Sequence, residues 1–285
     1  MLAIDTETTG LSLDRSRIVS VGIITPDDTE HPWLLKTVDH IPPESTEVHR
    51  ITDEKLARDG VDPATGFGQI AEMLHTSIAQ RDLIVAFNAR MDLTWLYREF
   101  DRYGLTQPDW AAACVVDPLV IHLIGNRTQT SRSLAALSEE YKLAGFDAHN
   151  AIADARRARE IAYAVGSRFP DHARPHPLHI TAHQRSRRKD LLRAAAKSGQ
   201  LRFNPDEPWP IVDIHDPAPV PATTVGAGGR RGGRWDDTEL DQLQSEVEAG
   251  LEWSSIGARH QRTPLAVWSK ARNAGFVPYL AGPPQ

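Results

Sequence analysis

Over its first 168 residues the chain alternates short apolar, β-rich runs with longer amphipathic stretches, an order that few architectures accept. Strand-like runs fall at Leu2–Ile4, Ile18–Ile24, Trp33–Leu35, Leu83–Phe87 and Ala112–Val116. Between and after them, Phe67–Gln80, Arg90–Tyr103, Ser131–Tyr141 and Ala151–Phe169 place apolar residues three and four apart, as helices lying on a sheet must. The expected class is α/β, or mixed α+β. With 40% hydrophobic and 25% charged residues the composition is that of a globular protein, which excludes a collagen-like or wholly disordered chain.

The 285 residues exceed one typical domain, and composition divides them. Residues 1–170 hold the alternating pattern. Residues 171–204 begin with a proline- and histidine-rich break. A basic stretch, Gln184–Lys197, follows with Arg185, Arg187, Arg188, Lys189, Arg193 and Lys197, and it reads as one amphipathic helix. That helix has two readings, a wall for single-stranded nucleic acid and a solvated surface, of which the second is preferred. Residues 205–233 shift to Pro, Gly, Ala and Thr, the composition of a flexible linker, and 234–285 regain helix-like patterning.

A lone cysteine, Cys114, excludes a disulfide scaffold and fits a reducing compartment. No apolar run reaches the roughly 20 residues that span a bilayer. The best stretch, Pro118–Gly125, contains His122, and the N-terminus shows no leader pattern. The expected location is the cytoplasm, nucleoid association included, with no membrane partner. A net charge of −6 opposes a polyanionic partner unless a cation-binding carboxylate cluster biases the sum.

Three short segments carry the chemistry-bearing side chains. Asp5-Thr6-Glu7-Thr8-Thr9-Gly10-Leu11 ends the first strand-like run. Residues two apart on a strand share a face, so Asp5 and Glu7 can address one point and suit a hard cation such as Mg²⁺. A surface strand explains the same triplet. Phe87-Asn88-Ala89-Arg90-Met91-Asp92 follows the fourth run, with Asn88 as a helix N-cap and Asp92 in or near the first turn; capping alone accounts for both. His149-Asn150-Ala151-Ile152-Ala153-Asp154 opens another helix with Asn150 as its cap. Five residues along a helix turn through about 140°, so His149 and Asp154 converge only if His149 lies on the approach. A capped helix with an exposed histidine is the plainer reading of this segment alone.

In order, Asp-x-Glu-Thr-Thr-Gly-Leu, Asn-x-x-x-Asp and His-x-x-x-x-Asp resemble the three motifs of the DEDDh 3′–5′ exonuclease family, related to the DnaQ-type proofreading subunit of bacterial DNA polymerase III (the epsilon subunit). Ile41-Pro42-Pro43, Val48-His49-Arg50-Ile51-Thr52 and Ser131–Tyr141 support the match, which extends over residues 1 to about 168. Two positions depart: Arg50 stands where the family often has glycine, and Met91 where it prefers an aromatic. The resemblance implies a ribonuclease H-like fold, a mixed five-stranded sheet with its second strand antiparallel and helices on its flanks. It implies two Mg²⁺ or Mn²⁺ ions, bridged by Asp5, with Glu7 and Asp154 completing the tighter site and Asp92 holding the second. His149 would take the proton from the attacking water. Thr6, Thr8, Leu11, His49 and Asn88 would line the substrate. The partner implied is DNA with a single-stranded 3′ end, and the product nucleoside 5′-monophosphate, in proofreading or repair. The alternatives are an exoribonuclease of the same superfamily and a DNA-binding or polymerase-docking protein that uses the nuclease fold as a scaffold. Intact Asp5, Glu7, Asp92, His149 and Asp154 argue against the scaffold.

Within 234–285, Thr238–Ala249, Trp253–His260 and Pro264–Ala274 read as three helices, with Trp235, Trp253 and Trp268 as their core and Thr263 capping the third. The set resembles a Myb/SANT-like three-helix module. A fold of that kind would present Arg259, Arg262, Lys270 and Arg272 to duplex DNA; docking to a polymerase or another protein is the competing expectation.

Overall fold

The computed structural model describes residues 1–126, 132–173, 176–197, 207–212, 237–248 and 253–260, with 267, 270 and 271. They fall into two units, Met1–His215 and Asp216–Gln285. In the first unit, β1 (Leu2–Thr8) begins with Leu2, Ala3 and Ile4, none of which reaches solvent, so the strand needs cover on both faces. It lies at the centre of a sheet. β2 (Ile18–Ile24) pairs with it antiparallel, and β3 (Glu30–Leu34) pairs antiparallel with β2. After α1 (Pro43–His49), α2 (Asp53–Asp59) and α3 (Pro63–Ala79), β4 (Leu83–Val85) joins the other side of β1 in parallel. α4 (Arg90–Arg102) leads to β5 (Cys114–Val116), parallel to β4 and completing the order β3-β2-β1-β4-β5. This is the mixed five-stranded sheet with an antiparallel second strand that the motifs imply.

α5 (Pro118–Gly125), α6 (Leu134–Glu140), α7 (Ala151–Arg168), α8 (Pro170–Ala173) and α9 (Pro177–Lys197) follow. The alternation along β1 divides the core. Leu2 and Ile4 pack with Phe67, Ile70 and Leu74 of α3 and Leu93, Leu96 and Phe100 of α4. Ala3 packs on the opposite face with Ile121, Ala155, Ala158, Ile161 and Val165. Small residues on α7 let it lie close to the sheet, and Gly22 lets it closer still. A Cβ on Gly22 would stand 2.4 Å from the Ala151 carbonyl carbon. The start of α7 therefore rests directly on β2, at the residue paired with Asp5.

Two stretches depart from the sequence expectation. The helix that carries the basic stretch begins at Pro177, and its first turns are docked: Ile180 and Gln184 are buried and cover the open edge of β5, whereas Arg185, Arg187 and Arg193 beyond them are exposed, as the solvated reading expects. Thr181 Oγ1 accepts the Val115 N–H (2.8 Å), and Gln184 Nε2 donates to the Val115 carbonyl (2.7 Å). Residues 205–233 read as linker, yet Glu207–Val212 belong to the first unit. Trp209 is 3% exposed within the α3–α4 core, and the Val212 N–H donates to Thr94 Oγ1 at 3.0 Å. Tight packing of one large aromatic overrides a proline-rich local composition. No helix among the described residues is long and apolar enough to cross a membrane.

In the second unit, α10 (Asp237–Glu248) and α11 (Trp253–Arg259) are followed by helical Val267, Lys270 and Ala271. Leu243, Ile256, Val267 and Ala271 form its buried centre among the described residues, and Trp253 packs half-buried against it. Trp235, Trp268, Arg262 and Arg272 lie outside the described residues. Replacing Trp209 by alanine should lower the stability of the first unit by about 3–5 kcal/mol, the cost of emptying a large buried site. Urea unfolding of the variant measures it, and a loss under 1 kcal/mol would mean that Trp209 is not part of the core.

Candidate active site

β4 pairs with β1 only at Leu2 and Ala3, so β1 runs on past its parallel neighbour. Asp5 and Glu7 border the opening this leaves at the carboxyl ends of the two strands, where open α/β sheets bind ligands. They share the face of Ala3, toward α7, while Thr6 shares the face of Ile4, toward α4. A carboxylate oxygen from each of Asp5, Glu7 and Asp154 lies within 4.8 Å of the others. Asp92 arrives from the opposite layer, in the first turn of α4, where the Thr6 hydroxyl donates to its Oδ1 at 2.7 Å. The register of β1 on β2 shifts between Glu7 and Thr8, a bulge of the kind that re-aims side chains beside binding sites.

Each helix start holds its ligand by a different device. Asn150 caps α7 as the sequence indicates, its side chain accepting from the N–H groups of Ile152 and Ala153. His149 precedes the cap with φ 65°, and its N–H donates to Asp154 Oδ2 at 3.1 Å. The left-handed residue resolves the 140° mismatch: His149 is outside the helix, exposed, and tied to Asp154 through its backbone. Asn88, expected to cap α4, does not. It sits at φ 59°, the residue before the helix is Ala89, and no side chain caps it.

What holds the turn before α4 is Asp117, which the sequence reading missed. Buried before α5, it accepts from the N–H groups of Asn88 and Ala89, both at 3.0 Å, and of Leu119 and Val120 at its own helix. One carboxylate thereby fixes the turn that delivers Asp92. The signal was present in Val116-Asp117-Pro118, an apolar strand followed by a capping acid and a proline at the first helical position.

Burial raises every carboxyl of the cluster, and repulsion by the others adds to it at Asp5 and Glu7. Burial pushes Asp5 well above the ordinary range, with Asp92, Asp154 and Glu7 adding to it. Glu7 rises to about 8 through burial, then Asp154 and Asp92. Asp92 rises to about 7 through burial, against the Thr6 hydrogen bond, and Asp154 to about 6 through burial, against the His149 N–H. Glu7 Oε1 and Asp154 Oδ1 are buried without a hydrogen-bond partner. Hard oxygen donors, crowded and unpartnered, fit a divalent cation.

A cleft of about 280 Å³ opens beside Glu7, lined by His49, Arg50, Lys55, His149 and Asn150 among others. His49 is buried, its Nδ1 accepts the Ile51 N–H, and burial, with His149 nearby, pushes its pKa down, so it is a neutral imidazole. Arg50 occupies φ 59° at the end of α1, which explains why glycine suits this position. Thr8 donates to the Gly10 carbonyl (2.6 Å), and Leu11 is 84% exposed on the following loop. α4 clamps that loop: Trp95 Nε1 donates to the Ser12 carbonyl (3.2 Å) and Arg98 to the Leu13 carbonyl (2.8 Å). Met91, at the departing position, is half-buried against the α3–α4 core. In the second unit Arg259 is exposed and pairs with Glu246 at 3.3 Å, and Lys270 is half-buried.

Residues 2–162 match the exonuclease family RNase T, and the chain belongs to that family. It is similar to the 3′-5′ exonuclease DinG of Staphylococcus epidermidis, 27% identical over 172 residues, which are 58% of this chain and 18% of that protein. The DinG of Staphylococcus haemolyticus is 29% identical over 157 residues, 53% of this chain and 16% of that protein. The matched segment thus spans less than a fifth of those relatives. The zinc-bound complex of E. coli exonuclease I with single-stranded DNA shares the fold, with a TM-score of 0.53 at 19% identity over 68% of this chain and 44% of that one. Family membership implies a divalent metal, in keeping with the Asp5, Glu7 and Asp154 cluster.

Two predictions follow from this geometry. The cluster's carboxyls hold protons in the folded state that the unfolded chain, near pKa 4, has released. Stability of the metal-free protein therefore falls as pH rises from about 4 to about 8, the latter set by Glu7. Thermal melting should show this fall, flattened in Glu7→Gln, with Mg²⁺ restoring more at the upper end than at the lower; a profile identical in the variant would remove Glu7 as a source. Gly22→Ala should lift the first turn of α7 and weaken Mg²⁺ binding by about 10-fold or more, read by calorimetry. Unchanged affinity would show that the helix start does not need the missing side chain.

Proposed function

We propose that the chain is a metal-dependent 3′–5′ exonuclease that hydrolyses single-stranded ends of DNA to nucleoside 5′-monophosphates. The observation that carries the reading is the confinement of Asp5, Glu7 and Asp154 oxygens within 4.8 Å, two of these residues keeping a buried oxygen without a partner. The relatives support it: the DinG proteins are named 3′-5′ exonucleases, and exonuclease I is solved with single-stranded DNA. Asp5, Glu7 and Asp154 would hold one ion and Asp5 and Asp92 a second. Two Mg²⁺ or Mn²⁺ ions, when bound, supply positive charge to the attacking water and the leaving 3′ oxygen.

The chain's own residues do the rest. His149 takes the proton from the water, its exposed imidazole kept at the cluster by the backbone bond to Asp154. Because the Thr6 hydroxyl is engaged by Asp92, Thr6 and Thr8 meet the terminal nucleotide through their backbone. Leu11, held out on its clamped loop, packs on the terminal base, and His49 and Asn88 lie along the strand. The same proposal includes proofreading or repair as the use and a DnaQ-type kinship. It also takes residues 234–285 as a Myb/SANT-like tether to duplex DNA through its basic side chains, Lys270 among them.

The test is product analysis with single-stranded DNA, 3′-mismatched DNA and the matching RNA, each with Mn²⁺ and with EDTA. Metal-dependent release of 5′-monophosphates from DNA is expected, and Asp5→Ala or Asp154→Ala should lower turnover by about 100-fold or more with the melting temperature maintained. Preference for RNA would move the reading to an exoribonuclease; hydrolysis that survives Asp5→Ala would end the ligand assignment.

A further inference from the structure

A second cleft, of about 450 Å³, lies in the first unit between α9 and the Glu207–Val212 segment, away from the carboxylates. Trp110 and Trp209 line it together with Arg185, Arg188, Lys189 and Glu207. Glu207 is neutralised by a bidentate pair with Arg90, at 2.5 and 2.8 Å, and Arg185 Nε donates to the Trp209 carbonyl at 2.7 Å, so the wall is built and braced. Two features are left without a partner inside it. Arg188 is half-buried and pairs with no carboxylate among the described residues. Burial and the neighbouring charge of Arg90 push its guanidinium below the usual range. The indole N–H of Trp209, in a residue 3% exposed, has no acceptor. Glu207 and Asp117 attract the Arg188 guanidinium without pairing with it, and the buried indole donor opposes folding while it has no acceptor, so the cleft is not explained by stability alone.

The chemistry that completes such a cleft is an anion next to an aromatic face. A guanidinium takes a phosphodiester, the half-buried ring of Trp110 takes a base by stacking, the Trp209 N–H offers a donor, and the volume suits one nucleotide. Position selects the source. Arg90, which anchors Glu207, stands two residues before Asp92 on α4, so a strand with its 3′ end at the carboxylates can reach the cleft along this helix. We propose that the cleft formed by Trp110, Arg188 and Trp209 binds an upstream nucleotide of single-stranded DNA, holding the strand while its 3′ end is cut. The assignment deepens the exonuclease reading and rests on it for the direction of the strand, though not for the binding itself.

The experiment uses the full chain in EDTA, where no cleavage occurs. A fluorescein-labelled oligothymidylate of roughly 20 nucleotides is titrated at about 50 and 200 mM salt, by anisotropy, against the wild type, Arg188→Gln and Arg188→Lys. Arg188→Gln should weaken binding about 5- to 10-fold and lower the salt slope by about one, with Arg188→Lys largely restoring both and the melting temperature of neither falling. Hydrolysis of the p-nitrophenyl ester of thymidine 5′-monophosphate with Mn²⁺, too short to reach the cleft, should be unchanged. In the wild type, photo-crosslinking of a 5-iodouracil-substituted strand should mark the peptides that hold Trp110 or Trp209, a readout independent of any variant. No binding by the wild type, equal affinity in Arg188→Gln, or crosslinks confined to other peptides would overturn the assignment. Crosslinking at the cleft without ester hydrolysis would leave it standing and overturn the exonuclease reading instead.

Discussion

Four carboxylates meet in one poorly solvated pocket, and the charge of the others bears on both Asp5 and Glu7. Asp5 and Glu7 come from one strand, Asp92 from the helix on one side of the sheet and Asp154 from the helix on the other. Holding them against repulsion requires rigid supports, and the structure supplies one for each. β1 is buried on both faces, α7 rests on the bare backbone of Gly22, and Asp117 clamps the turn into α4. A bidentate bond from buried Arg17 to Glu99 braces the far half of α4 against the start of β2. The stability given up at the cluster is recovered by a cation, so the same repulsion that weakens the apo fold strengthens metal binding.

Much of this was legible in the sequence because it obeys local rules. β2 falls where its apolar run places it, α4 and α7 begin at the expected residues, and Asn150 caps α7 by the side-chain bonds its residue type favours. What escaped was set by contacts distant along the chain. Asn88 has the right chemistry for a cap, but Asp117, 29 residues on, takes its N–H and forces it into a left-handed turn. The docking of the first turns of α9 escaped because its signal is carried by Thr181 and Gln184, polar residues that satisfy the edge of β5 rather than fill a core, while the basic residues beyond them are exposed as their charge suggests. Trp209 was hidden in a stretch whose prolines and glycines look like linker.

The family match stops at residue 162, whereas the first unit continues to His215. The residues beyond the match are still part of that unit's fold. They cover a strand edge, fill a core position and border a basic, aromatic cleft. The departures inside the matched segment are milder: Arg50 keeps a backbone conformation that glycine adopts more readily, and Met91 fills core space with a more adaptable side chain.

The Asp117 clamp has one more partner. Its own N–H donates to Gln184 Oε1 at 2.9 Å, so α9, Asp117 and Asn88–Ala89 form one hydrogen-bonded relay that ends at the turn three residues before Asp92. Fraying of α9 breaks the first link of that relay, and the motion is felt at a carboxylate nearly a hundred residues earlier. On this wiring, heat inactivation is expected to begin as a local event at α9, ahead of global melting, with amide protons of β5 and the α4 turn exchanging as one cooperative group.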